Sequence, residues 1–275
     1  MTSSALAKRL LVSIILLPVG IFLIALGGWV FGIFVLAILA LASWEYTSLF
    51  VTSGFRPSVV LVIGGTLLLG LNTLLSVFSL VDASEFLLPV LILASMAFHL
   101  IDYEKGRDKA ATDFAITLGG ILYLGLIGSY LISLRFLPDG KWWFLLILPA
   151  VMLADSGAFM IGSRFGKHSL SPRLSPHKTW EGYVGGIIFG ILGGALLAAL
   201  WHLAAPAITV GRGALVGFIM AVVTPLGDLG ESMIKRQAGA KDSSHILPGH
   251  GGVLDRIDSW LWAAVIGFFL VKYFL

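Results

Sequence analysis

Residues 232–259 read SMIKRQAGAKDSSHILPGHGGVLDRIDS. Lys235, Arg236, Lys241 and Arg256 supply cations, Asp242, Asp255 and Asp258 carboxylates, and His245 and His250 imidazoles. The turn Pro248-Gly249-His250-Gly251-Gly252 stands among them. Carboxylates hold hard divalent cations, and Mg²⁺ takes one or two of them together with substrate phosphates. Basic side chains neutralise phosphates. Glycines let backbone N–H groups turn towards an anion, and a following helix N-terminus adds positive potential. Acid and base interleaved in this way point to phosphoryl-type chemistry, which depends mostly on positioning and charge neutralisation. His250 is either a general base or a hydrogen-bonding turn residue, and this chemistry does not require a base. A tight turn with no ligand is the plainer reading, and the mixture of charges argues against it.

Asp228 and Glu231 lie three apart, and Asp255 and Asp258 repeat that spacing. Residues three apart share a helix face, so each pair can present two carboxylates to one cavity. For Asp255 and Asp258 the competing reading is favourable charge at a helix N-terminus. Two pairs together with Asp155 favour a metal site drawn from Asp228, Glu231, Asp255 and Asp258. Asp155 sits in the apolar run VMLADSGAFMIG. A carboxylate there is costly unless it faces a wet cavity, a cation or a basic partner. A structural salt bridge is the alternative; we expect a functional carboxylate lining a polar cavity. A second polar stretch, SPHKTWEG at 175–182, offers Lys178 as a phosphate-seeking charge between turn-forming Pro and Gly. For Lys178, Lys167 and Arg173 the competitor is contact with anionic lipid, and Trp180 is equally an interfacial anchor.

These groups are embedded in hydrocarbon-soluble sequence. The 275 residues are 58% hydrophobic and 12% charged, with a mean hydropathy of +0.98. Soluble domains carry roughly a quarter charged residues. The chain is therefore expected to be an all-α, polytopic integral membrane helix bundle. Cysteine is absent, which excludes disulfides and thiolate chemistry. The formal charge of +3 is small, and we expect no nucleic-acid partner. A crossing needs about 20 apolar residues. Candidate spans fall at 10–26, 29–43, 59–75, 86–101, 114–134, 142–161, 183–203, 214–233 and 253–274, about nine transmembrane helices, with Glu45 and Arg56 in the connection after the second. Lys8 and Arg9 before an apolar run resemble a signal peptide, and we expect an uncleaved anchor. Residues 1–140 are read as N-terminal spans and 141–275 as spans carrying the catalytic loops, in one membrane domain. Alternate connections are the more basic and should be cytoplasmic, including both polar stretches. Gly186, Gly190 and Gly194 stand four apart; close packing inside the monomer is favoured over a dimer seam.

The signature resembles that of bacterial phosphatidate cytidylyltransferases, the CDP-diacylglycerol synthase family. Its elements are Ser-x-x-Lys-Arg, Lys-Asp, Pro-Gly-His-Gly-Gly and Asp-Arg-x-Asp. They are met by Ser232, Lys235-Arg236, Lys241-Asp242, residues 248–252, and Asp255-Arg256 with Asp258. Gly227-Asp228-Leu229 and the SPxKTWEG stretch agree as well, so the likeness covers roughly the C-terminal half. Phe159, His177 and Gly230 depart from the family's common tyrosine, lysine and bulkier residue. The resemblance implies transfer of CMP from CTP to phosphatidic acid, giving CDP-diacylglycerol and pyrophosphate for phospholipid biosynthesis. It implies Asp228, Asp255, Asp258, Lys241 and His250 as catalytic residues. Lys178, Ser232, Lys235, Arg236, Asp242, Gly249, Gly251, Gly252, Arg256 and Asp155 would bind substrate. It also implies Mg²⁺, a monovalent cation such as K⁺, a homodimer, and a cavity open to cytoplasm and membrane lipids. The expected location is the cell inner (cytoplasmic) membrane, multi-pass, with the active site facing the cytoplasm. A CTP-dependent enzyme acting on a lipid alcohol would share the phosphate handling but not the whole signature. A transporter would explain intramembrane carboxylates, but the chain shows no inverted repeat.

Overall fold

The computed structural model describes residues 17–246 and 251–275. Lys8, Arg9, Pro248, Gly249 and His250 lie outside them. Among the described residues eight helices are long and apolar enough to cross a membrane, and a shorter apolar helix, α1 (Leu17–Leu26), precedes them. The chain is a polytopic helical membrane protein. In hydrocarbon every backbone N–H and C=O needs an internal partner, which a helix supplies within its own segment.

The chain divides into two compact units, Met1–Ser133 with Gln237–Ile257 and Leu134–Arg236 with Asp258–Leu275. The first is built on α2 (Gly28–Thr52), α3 (Val59–Val77), α4 (Ser84–Glu104) and α5 (Ala110–Gly120), which runs on as a π-helical stretch, Ile121–Ile127. Leu39, Val62, Leu74, Ile121 and Leu124 are fully buried among these helices. A Cβ on Gly120 would lie 2.8 Å from both the Tyr46 ring and Val62, so the missing side chain is what lets α5 approach. Buried polar groups pin the helices where dispersion cannot specify register. Ser43 donates to Thr66 Oγ1 at 3.1 Å and Tyr46 to the Ile116 carbonyl at 3.0 Å. Asp113 accepts from the Arg56 amide at 2.8 Å and from Arg107 Nε at 2.7 Å. That carboxylate holds the Arg107 guanidinium above its ordinary pKa.

The expected end of the second span needs correction. It was placed at residue 43 with Glu45 in the connection, whereas α2 continues to Thr52 and Glu45 is buried inside it. A charge interrupts a hydropathy pattern, but here it does not end the helix.

The second unit holds α7 (Gly140–Phe165), a short antiparallel hairpin of β1 (Ser169–Ser171) and β2 (Ser175–Thr179), α8 (Trp180–Trp201) and α9 (Val210–Val223). It also holds most of α10 (Pro225–Gln237) and α11 (Leu254–Phe274). The unit boundaries cut the short α6 (Tyr130–Arg135), the end of α10 and the first turn of α11. Pro225 separates α9 from α10 because proline has no N–H and its ring clashes with the preceding turn. The α8 glycines are used inside the unit. A Cβ on Gly186 would lie 3.0 Å from the Ala154 carbonyl oxygen, and one on Gly190 would lie 2.7 Å from both Ala221 Cβ and the Gly217 carbonyl. Close packing of α7, α8 and α9 consumes this stripe, which corrects its alternative reading as a dimer seam.

Candidate functional site

The second unit brings together residues that lie far apart in sequence. Lys178 stands at the end of β2, and its Nζ lies 2.6 Å from Asp228 Oδ2 on α10. Ser232, one turn further on, donates to Asp228 Oδ1 at 3.5 Å. Glu231 is 1% exposed and pairs with Lys235 Nζ at 2.5 Å. Asp258 is buried on α11, its Oδ1 accepting from the Ser259 amide at 2.6 Å. A Cβ on Gly227 would lie 2.7 Å from Trp262 Cδ1 and 2.9 Å from the Asp258 carbonyl, so the glycine before Asp228 lets α10 lie against α11. Asp155 is exposed on α7 and interacts electrostatically with Lys178 and Asp228. Asp258 in turn feels Asp228, Lys235 and Asp155. Four carboxylates and two lysines thus share one neighbourhood, with Arg236 next along α10.

The SPHKTWEG stretch explains how Lys178 is held there. Its first five residues are β2, paired so that Ser171 faces Ser175 and Ser169 faces Thr179. Thr179 is the N-cap of α8, its hydroxyl accepting from the Gly182 amide at 3.1 Å. Glu181 reaches back over the hairpin, accepting from the Lys167 and His168 amides at 3.1 and 3.3 Å and meeting His168 Nδ1 at 2.6 Å. Lysine, cap and clasp follow one another, so the lysine is fixed at the first turn of α8. Trp180 is 52% exposed, as an interfacial anchor would be.

In the first unit the remaining signature residues are organised by two carboxylates. Asp255 Oδ2 accepts from the Ser243 amide at 2.9 Å, the Ser243 hydroxyl at 2.8 Å and the Gly252 amide at 2.8 Å. Glu45 is 0% exposed. Its Oε1 accepts from Ser244 Oγ at 2.5 Å and the Val253 amide at 2.9 Å. Its Oε2 accepts from Ser243 Oγ at 3.3 Å and the Leu254 amide at 2.6 Å. Gly251 has φ 84°, in the left-handed region open to glycine. A Cβ on Gly252 would lie 2.7 Å from both Glu45 oxygens. Lys241, Asp242 and Arg256 are exposed.

The Gly252, Val253 and Leu254 amides are taken by Asp255 and Glu45, so these three do not face a phosphate; Gly249 and His250 of the turn lie outside the described residues. Glu45 was missed because it was read as a loop residue. The available signal was its type, since an ionisable residue beside an apolar run is a functional candidate until a partner accounts for it.

Among the described residues no group of three or more His, Cys, Asp or Glu side chains forms a metal cage. Mg²⁺ does not need one, because it completes its shell with water and substrate phosphates around one or two carboxylates. The all-oxygen donor set of Asp228 and Asp258 fits such an ion.

A sequence model of the cytidylyltransferase family matches residues 7–274. The chain is 32% identical to a protein of Synechocystis sp. over 96% of both chains. It is 34% identical to one of Brucella suis over 96% of this chain and 92% of that one. A shorter match at 38% identity, covering 58% of this chain and 48% of its counterpart, is to a protein of Mycobacterium leprae. All three are named phosphatidate cytidylyltransferase.

Proposed function

We propose that this chain, which belongs to the cytidylyltransferase family, transfers CMP from CTP to phosphatidic acid, giving CDP-diacylglycerol and pyrophosphate. The observation that carries the reading is the Lys178–Asp228 pair beside Glu231–Lys235, on a hairpin and a helix that border membrane spans. One substrate is a lipid and the other a soluble nucleotide, so the reacting groups have to meet at the membrane surface.

In the reaction a phosphate oxygen of phosphatidic acid attacks the α-phosphorus of CTP. The bond from that phosphorus to the α,β-bridging oxygen breaks, and pyrophosphate leaves with the electron pair. The anionic groups brought together need cations. Lys178 and Lys235 are each parked against a carboxylate, and a triphosphate offers them a more highly charged partner. Arg236, Lys241 and Arg256 add positive charge along the signature. Asp228 and Asp258 are the carboxylates we assign to Mg²⁺, with Glu231 beside them and Asp155 at the margin. Asp255, whose Oδ2 accepts three hydrogen bonds, stays among the carboxylates that the resemblance implies for the metal. The metal supplies charge stabilisation to the phosphates when bound. The K⁺ and the homodimer that the resemblance implies belong to the same proposal, as does the inner membrane with the site towards the cytoplasm. The basic bias of the connections supports that orientation.

Purified protein given CTP, Mg²⁺ and phosphatidic acid should release pyrophosphate and form CDP-diacylglycerol. A lipid alcohol in place of phosphatidic acid should give neither. Pyrophosphate release with the alcohol but not with phosphatidic acid would overturn the reading. Orientation is tested in the naturally cysteine-free chain by single cysteines at Arg173 and His245, both exposed. They should react with a membrane-impermeant thiol reagent only after the inner face is opened.

A further inference from the structure

We infer that Glu45 is a positioning residue for this reaction, setting the register of the start of α11 from a helix about two hundred residues earlier. The inference rests on the proposed reaction for its kinetic consequence and on geometry alone for the clamp.

Glu45 lies well inside α2 and is 0% exposed. A carboxylate buried within a membrane span is expensive without donors, and it has three of its own, from Ser244, Val253 and Leu254, with the single Ser243 hydroxyl hydrogen shared between it and the nearer Asp255 Oδ2. Their distribution is informative. Ser243 and Ser244 lie on the chain entering the signature turn, and Val253 and Leu254 on the chain leaving it. Oε1 takes Ser244 and Val253, while Oε2 takes Ser243 and Leu254. Each oxygen therefore joins a residue of 243–244 to one of 253–254, tying these two stretches together beside α2. Asp255 Oδ2 makes a third such bridge between Ser243 and Gly252. Holding the residues before α11 in one arrangement removes conformational entropy that substrate binding would otherwise have to remove.

The same bonds cap α11. The Val253 and Leu254 amides belong to the unsatisfied donors at the start of that helix, and an anion there suits its positive end. The cap comes from another helix, so it fixes the start of α11 as well as satisfying it. A slip of one residue would turn α11 by about 100° and carry Asp255, Arg256 and Asp258 off the faces they occupy. Glycine at 252 belongs to the device, because a Cβ there would meet both Glu45 oxygens and Ser243 Oγ. A glutamine at 45 keeps the shape but turns NH₂ hydrogens towards groups that themselves donate.

The test uses the full chain in detergent with phosphatidic acid, comparing the natural protein with Glu45→Gln. Turnover, the KM for CTP, thermal melting and amide hydrogen exchange are read on the same samples. We expect kcat to fall at least about tenfold, the loss expected when hydrogen bonds to a charged group are broken. We expect the KM for CTP to move by less than about threefold, since the residue touches no substrate. Exchange should quicken in peptides covering 251–256, while α7 and α8 keep their protection. Natural turnover with protected 251–256 amides overturns the inference. So does loss of protection throughout the chain, which would make Glu45 a general stabilising residue. A lower KM for CTP at unchanged kcat also overturns it, because the carboxylate would then be screening an anion site. If Glu45→Gln does not fold, Ser244→Ala removes a single donor and leaves the carboxylate. It should lower kcat by about threefold, with the same local rise in exchange, and no change in either quantity overturns the clamp. If the natural protein releases no pyrophosphate from CTP and phosphatidic acid, the functional reading fails separately, and the exchange measurement still decides the clamp.

Discussion

Glu45 in the first unit and Asp228 and Glu231 in the second are kept inside a membrane protein by different means. In the first, Glu45 accepts from backbone amides and serine hydroxyls and is shut off from solvent. In the second, Asp228 and Glu231 are paired with lysines, and Asp228 is 41% exposed. Neutral backbone donors cannot leave without unfolding a turn, so a carboxylate held by them is an anchor. A lysine on a flexible stem can leave for a phosphate, and the carboxylate it releases can take a cation. The difference sorts one signature into a fixed half and an exchangeable half. It also explains why the exposed pair is the better candidate for chemistry although the buried one is the better satisfied.

The largest effect should come from the two carboxylates assigned to the metal. Asp258→Asn and Asp228→Asn each keep shape and one oxygen but lose the charge that holds Mg²⁺ against water. Turnover should drop by roughly a thousandfold, in line with metal stabilisation worth several kcal/mol. Melting should stay close to that of the natural protein. If Asp258 were only a helix N-terminal charge, its loss would cost about 0.3–1 kcal/mol of stability and little activity. CTP turnover and melting measured across a Mg²⁺ series separate these outcomes. A variant that melts lower yet turns over normally at low Mg²⁺ would erase the division between the units for that residue.

Lys178→Ala should come next. Removing a charge-assisted contact to phosphate should raise the KM for CTP or phosphatidic acid by about ten- to a hundredfold without unfolding the hairpin. The hairpin's own bonds, from Thr179 and Glu181, do not involve the lysine side chain. Steady-state kinetics with each substrate varied in turn would check this. A stable variant with natural constants would return Lys178 to the anionic lipids at the surface.

How much of this was legible depended on whether a residue's partner was near it in sequence. Asp228 and Glu231 lie three apart within one helix, and spacing placed them on one face; Lys235 and Arg236, expected beyond a span ending at residue 233, continue the same helix. Hydropathy located most spans to within a few residues, because lipid imposes a nearly uniform apolar length. Glu45 failed on both counts. Its charge cut the apolar run short, and its partners stand about two hundred positions away. The Gly252, Val253 and Leu254 amides were hidden for the same reason, since local sequence shows the donors of a helix N-terminus but not what already occupies them. Sequence offered Lys178 as a phosphate-seeking charge and did not show its pairing with Asp228. Its geometry needed the hairpin of β1 and β2, which a polar stretch with two prolines does not announce.

The smallest effect tests whether the division holds within the second unit itself. Glu181 is a carboxylate of the anchoring kind placed beside an exchangeable lysine, since it accepts two backbone amides as well as the His168 ring. His168 is 76% exposed, so water and salt screen the pair, and such surface pairs add little to stability. If the amides do the holding, His168→Ala should leave kcat and both KM values unchanged and shift melting by no more than about 2–4 °C. Raising the ionic strength should shrink even that difference. The competing view makes the imidazole the clasp that fixes the hairpin. It predicts that the alanine variant loosens residues 167–179, quickens their amide exchange and raises the KM that Lys178 governs. Kinetics and exchange on the one variant decide between them. A Lys178-like defect in His168→Ala would show that an exposed histidine, and not the two backbone amides, positions the phosphate-binding lysine.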